Sequence, residues 1–198
     1  MVSAISKTKK NLIDVAQQLF AKKGVENTTM NDIAEASQRG RRTLYTYFNS
    51  KYDIYKAVIE SELNVLYSRL EEVIKRDIPA DEKLILLAFT RLSAVKEVVT
   101  RNGTLRANFF RDIWQVENVR KEFDRKEISY LEEIIQDGCN KGLFGLKNVK
   151  QTAVILHYAF KGLEVPVIRG TLKLDYNKKE DRDTIADILI KGLYGRSG

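Results

Sequence analysis

Cysteine occurs once in this chain, at Cys139, and histidine once, at His157. A single cysteine excludes an internal disulfide, so a reducing cytoplasm is the expected setting. One histidine and one cysteine also fall short of the Cys/His sets that hold zinc, so no metal site and no cofactor are expected. No apolar run approaches the ~20 residues that span a bilayer, which excludes a membrane protein. The opening stretch MVSAISKTKKNLIDVAQQLF has neither the long apolar core nor the small-residue cleavage site of an export signal. Prolines number only two. With so few helix breakers and a wealth of Leu, Ile, Lys and Glu, an all-α chain is expected.

Acidic residues are missing from one place in particular. The fourteen residues QRGRRTLYTYFNSK, Gln38 to Lys51, contain four basic side chains and three aromatic rings but no Asp or Glu. Residues 1–56 carry ten Lys/Arg against five Asp/Glu, which places +5 of the chain's +7 in its first quarter. Clustered arginines repel one another and add little to a fold, whereas a polyanion gains much from them.

The hydrophobic spacing gives this basic segment a shape. Leu12, Val15, Ala16, Leu19 and Phe20 recur every three or four residues as one buried helical stripe, with Gly24 as its stop. NTTMNDIAEAS opens a second helix, where Thr29 and Asp32 are spaced as a capping box and Ile33, Ala34 and Ala36 form a small packing face. After the breaker SQRG, a third short helix runs from about Arg41 to Phe48, burying Leu44 and Phe48 as an i, i+4 pair. A fourth starts at Lys51 and carries Ile54, Val58, Leu63, Leu66, Leu70 and Val73 to about Arg76, with Pro79 just beyond.

Two short helices joined by a tight turn inside a basic three-helix unit form a helix-turn-helix, whose second helix enters the major groove with its N-terminal residues leading. Arg41, Arg42 and Thr43 hold those leading positions. Arginine can pair with guanine through two hydrogen bonds, and threonine can bond a base or touch a thymine methyl. With Leu44 and Phe48 buried, Tyr45 and Tyr47 are left to reach phosphates.

These residues resemble the TetR family of one-component bacterial regulators across about residues 9–58. The likeness is carried by IDVAQQLFAKKGVENTTMNDIAEAS and TLYTYFNSKYDIYKAV: the Leu-Phe closing the first helix, Gly24, Thr28-Thr29, Asp32-Ile33-Ala34, Thr-Leu-Tyr, Phe48 and Lys51. The resemblance implies that Thr28, Thr29, Tyr45, Tyr47 and Lys51 hold phosphates while Arg41, Arg42 and Thr43 read bases. It departs from the family in the turn, where Gln38-Arg39 replaces the usual Gly-Val, Gly40 replaces a serine cap, and Arg42 replaces a glycine.

Residues 1–52 are thus read as the DNA-binding domain, with the start of the fourth helix, and 53–198 as a helical domain for ligand sensing and dimerisation. Helices are expected at about 81–101, 104–113, 117–141, 148–169 and 181–194. In the last two, Val154, Tyr158, Gly162, Ile185, Ile188, Leu189 and Leu193 form apolar stripes. The family resemblance implies that such a pair meets its copy in a second subunit as a four-helix bundle. A dimer also follows from the DNA side, since one short helix-turn-helix reads a half-site.

An aromatic set, Phe89, Phe109, Phe110, Trp114, Tyr130, His157, Tyr158 and Phe160, is either a ligand cavity or ordinary core. His157 is expected to be buried and neutral beside Tyr158. Cys139 reads as a small filler, and Glu71-Glu72 and Glu132-Glu133 as solvated helix faces. The function expected is a small-molecule-responsive repressor that binds a palindromic operator as a homodimer, with no enzymatic activity. Two rivals stay open: an enzyme using the helical pocket, against which stands the lack of a nucleophile–base pair or phosphate loop, and a DNA-binding protein without a sensor.

Overall fold

The computed structural model describes residues 7–101 and 117–191. Their regular structure is helical, with no strand: α1 Lys7–Lys23, α2 Met30–Ala36, α3 Arg41–Tyr47, α4 Lys51–Ile74, α5 Ala80–Arg101, α6 Glu117–Asn140, α7 Val149–Arg169 and α8 Lys179–Ile185. A π-helical turn, Ala186–Ile190, continues α8. The helix expected at 104–113 lies outside the described residues. The described residues divide into two compact units, the first holding residues 7–64, 98–101 and 117–119 and the second residues 65–97 and 120–191.

In the first unit α1 packs on α2 and α2 on α3. Its core joins Leu12, Ile13, Ala16 and Phe20 of α1, Ile33 and Ala34 of α2, Leu44 and Phe48, and Ile54, Tyr55, Val58 and Ile59 of α4. Leu44 is fully buried and Phe48 nearly so, and each buried side chain of this size contributes about 1.5–3 kcal/mol. The short helices are fixed at their ends. Thr29 Oγ1 accepts the Asp32 N–H at 3.1 Å while Asp32 Oδ2 accepts the Thr29 N–H at 2.7 Å, the reciprocal capping box anticipated from the spacing. The Thr29 N–H bond, joined by Lys23, lowers the Asp32 carboxyl to about 2. Asp53 closes the start of α4 in the same way, accepting the N–H groups of Asn49 and Ser50.

The second unit buries Leu70, Leu84, Leu87, Leu131, Ile135 and Phe160 among other apolar side chains. One tight approach shapes its α6 end. A Cβ on Gly138 would lie 2.3 Å from the Phe144 ring, so only glycine lets the chain fold back there. The N–H groups of Leu143 and Phe144 both bond the Gly138 carbonyl, at 2.8 and 3.2 Å. Pro166 sits inside α7, where it has no N–H to offer the Gly162 carbonyl one turn earlier.

Candidate nucleic-acid interface

The recognition segment is built by burying two side chains and exposing the rest. On α3, Leu44 and Phe48 face the core, whereas Arg41, Arg42 and Tyr45 are exposed and Thr43 and Tyr47 half-buried. Tyr47 packs along the edge of the hydrophobic core. Arg39, Arg41 and Arg42 make no ion pair or hydrogen bond through their side chains among the described residues. Three guanidinium groups within four residues, uncompensated by any described residue, form a positive field suited to an anionic partner.

Gly40 is the N-cap of α3 and supplies no side-chain cap. Thr46 bonds back to the Arg42 carbonyl at 2.9 Å, so it serves the helix itself. Thr29 is exposed at the start of α2, with its hydroxyl already accepting from Asp32 and its proton free to donate.

Two residues expected at phosphates have internal duties. Thr28 is buried, and its hydroxyl donates to the Gly24 carbonyl at 2.7 Å. Its hydroxyl is thereby turned into the α1–α2 connection rather than outward. The Lys51 ammonium donates to the carbonyls of Val25 at 2.7 Å and Glu26 at 3.2 Å, tying the first turn of α4 to the same connection. One of its three N–H bonds is left to point elsewhere. Spacing could not show either bond, because Lys51 lies 26 residues from Val25 in sequence.

The second unit holds the other expected site residues. Phe89 is buried, with its ring 5.6 Å from that of Tyr176. Tyr130 is half-buried and donates to Glu71 at 3.0 Å; burial first, and then this bond, push its phenol up to about 12. Glu71 is therefore part of an inter-helix bond and more than a solvated face. Phe109, Phe110 and Trp114 lie outside the described residues. Cys139 is half-buried, as a filler would be.

His157 is buried beside Tyr158, the rings 5.1 Å apart. Its neighbours work against the neutral imidazole expected there. Nδ1 lies 3.2 Å from Glu127 Oε2 and Nε2 lies 3.4 Å from Asp124 Oδ1. Burial by itself disfavours the imidazolium, but the bonds to Asp124 and Glu127 outweigh it and raise the pKa. The same carboxylates reach further cations: Glu127 pairs with Arg91, which reaches Glu164 at 2.7 Å, and Asp124 pairs with Lys161 at 2.6 Å. The result is a chain of alternating sign, Glu164–Arg91–Glu127–His157–Asp124–Lys161, across α5, α6 and α7. With His157 protonated, its three positive charges balance its three negative ones.

Of the residues expected at a subunit interface, Val154, Tyr158 and Ile188 are exposed, Tyr158 by 61% and Ile188 by 71%. A Cβ on Gly162 would meet only open space. Ile185 differs, being covered by its own chain. The Leu189 side chain and Leu193 lie outside the described residues. No group of three or more His, Cys, Asp or Glu among the described residues is placed to hold a metal ion, and no described helix is long and apolar enough to cross a membrane.

Comparison with known proteins agrees with this geometry. Residues 12–58 match the family model described as "Bacterial regulatory proteins, tetR family". The HTH-type transcriptional regulator YhgD of Bacillus subtilis is 24% identical over 192 residues, covering 93% of this chain and 96% of that protein. The HTH-type transcriptional repressor KstR2 of Rhodococcus jostii is 30% identical over 84 residues, 42% of this chain and 41% of the repressor. Among solved structures, the flavonoid-responsive regulator FrrA superposes with a TM-score of 0.69 at 20% identity, over 96% of this chain and 99% of that one. The all-helical architecture, the exposed basic face of α3 and the match over residues 12–58 together make this chain a DNA-binding transcriptional regulator of the TetR family.

Proposed function

We propose that two copies of this chain bind a palindromic operator, repress the adjacent promoter, and are released by a small molecule taken up in residues 53–198. In this reading residues 1–52 bind DNA: Arg41, Arg42 and Thr43 read bases, while Thr29, Tyr45, Tyr47 and Lys51 hold phosphates and Thr28 supports them from within. The chain acts in the cytoplasm, where the operator is, and performs no catalysis of its own.

The observation that carries the reading is an apolar face left uncovered in the second unit. Val154, Tyr158, Gly162 and Val165 recur at three- and four-residue spacing along α7, and Ile155 and Ile188 add 60% and 71% exposed surface. Water is a poor neighbour for such a stripe, and a second copy covers it with the same residues through a two-fold axis. Two α3 helices would then meet two half-sites about 34–36 Å apart, one turn of the duplex. The repressor sense is supported by KstR2, named a repressor, and the effector by FrrA, named flavonoid-responsive. An effector acts here by binding more tightly to the conformer whose half-site spacing no longer fits DNA; tight binding to both conformers shifts nothing.

Fluorescence anisotropy on a duplex recovered by selection from random DNA tests this reading. Saturation at two chains per palindrome, and release by at least one compound of a small-molecule library, are expected. Saturation at one chain per site would remove the dimer from the account, and binding unmoved by every compound would remove the effector.

A further inference from the structure

Gln38 has φ +54°, and it is the one residue other than glycine with positive φ among the described residues. The hydrogen bonds around it explain why. The Gln38 N–H donates to the Glu35 carbonyl and the Arg39 N–H to the Ala34 carbonyl, each at 3.0 Å. This pair of bonds is the Schellman closure of a helix, which demands a left-handed residue after the C-cap, here Ser37. The other left-handed positions, Gly24 after α1, Gly142 after α6 and Gly170 after α7, all carry glycine. An L side chain in that conformation is strained against its own carbonyl, and glycine is not.

Asn and Asp offset this strain by bonding the nearby backbone. Gln38 does not: its carboxamide is exposed and makes no hydrogen bond among the described residues. In the free protein the side chain thus carries the strain without a compensating contact. It stands next to Arg39 and three residues before Arg41, on the turn that leads into α3. Strain held in place at such a position points to a contact made only in the complex. We propose that the Gln38 carboxamide contacts DNA, donating to a phosphate oxygen that flanks the half-site, and that the left-handed turn is what presents it there. A glutamine amide is a common donor to DNA phosphates, and such contacts fix register without reading sequence. The proposal rests on α3 being the recognition helix.

Two variants test it, on a duplex recovered by selection and on a random duplex. Gln38→Gly relieves the strain and should raise Tm by about 2–4 °C. It should nevertheless bind both duplexes about 10- to 100-fold more weakly, the loss of one hydrogen bond to an ionised phosphate. Gln38→Lys places a cation at the same point without easing the turn. It should steepen the plot of log K against log salt by about 0.9, the signature of one more phosphate neutralised. Unaltered affinity of Gln38→Gly, or an unaltered salt slope for Gln38→Lys, would overturn the proposal while leaving α3 as the reading helix. A loss confined to the selected duplex would also overturn it, by showing a base contact. Unmodified protein that binds no duplex would overturn both this proposal and the reading beneath it.

Discussion

His157 and Glu127 face each other with both side chains closed to solvent, Nδ1 of the imidazole 3.2 Å from Oε2 of the carboxylate. Asp124 flanks the other ring nitrogen. A deprotonated imidazole would leave this buried chain with one uncompensated negative charge, so folding favours the imidazolium.

That preference sets a pH dependence. The folded pKa of His157 is raised above its ordinary 6.5, so its contribution to stability is complete below about 6.5 and is lost as pH rises through the folded value. The melting temperature should therefore fall on the alkaline side of neutrality, and His157→Gln should flatten that limb. A single-histidine NMR titration with a midpoint at or below 6.5 would contradict the linkage. Asp124 works in the opposite sense. Burial pushes its carboxyl up, but bonds from His157 and Lys161 prevail and lower it to about 2. Its share of stability is present above about 4 and lost as pH falls toward 2.

Arg91 is the other anchor of this chain. Removing its charge by Arg91→Met leaves the buried Glu127 and Glu164 without that cation, at a cost of about 3–5 kcal/mol. Adding Glu127→Gln should restore part of that loss. Chemical denaturation of the single and double variants measures both. Equal stability of Arg91→Met and the parent would show that the arginine contributes nothing net.

On the DNA side, Arg41→Ala and Arg42→Ala should each cost about 1–3 kcal/mol on the preferred duplex and far less on random DNA. Neither guanidinium has a partner among the described residues to lose, so melting temperatures should hardly move. Equal losses on both duplexes would assign these arginines to phosphates.

Lys51 should behave differently, because its ammonium bonds the Val25 and Glu26 carbonyls. Lys51→Ala is expected to weaken binding to all DNA and reduce the salt slope by about one unit. It should also destabilise the first unit by about 1–3 kcal/mol through the lost charge-assisted bonds. Lost stability with an unchanged salt slope would make Lys51 a strut alone.

The contrast between these residues shows what a sequence displays. The first unit was readable because its signals are local: Thr29 and Asp32 cap three residues apart, and Leu44 and Phe48 bury one turn apart. The charge chain was not, since Arg91, Glu127 and Glu164 lie 36 and 37 residues from one another and each resembles a solvated helix residue. Lys51 escaped for the same reason. The sequence places His157 beside Tyr158 but hides the carboxylates that favour its protonation, because Asp124 and Glu127 come from α6. Ile185 matched the stripe of Ile188 in periodicity, yet only packing distinguishes the covered residue from the exposed one.

The exposed apolar residue of the turn that continues α8 can be tested without disturbing the core. Ile188→Glu places a charge on a side chain that its own chain leaves 71% exposed, so the subunit should still fold while the dimer is lost. Light scattering should show a folded monomer with little affinity for the palindrome. A variant that stays dimeric and binds normally would put the subunit contact elsewhere.

The most direct measurement is selection of bound duplexes from a random pool, followed by sequencing. The bound pool should share a two-fold palindrome whose half-site centres lie about one helical turn apart, lost when Arg41 and Arg42 are both replaced by Ala. Recovery of a single unrepeated half-site, or of fragments with no common sequence, would contradict it.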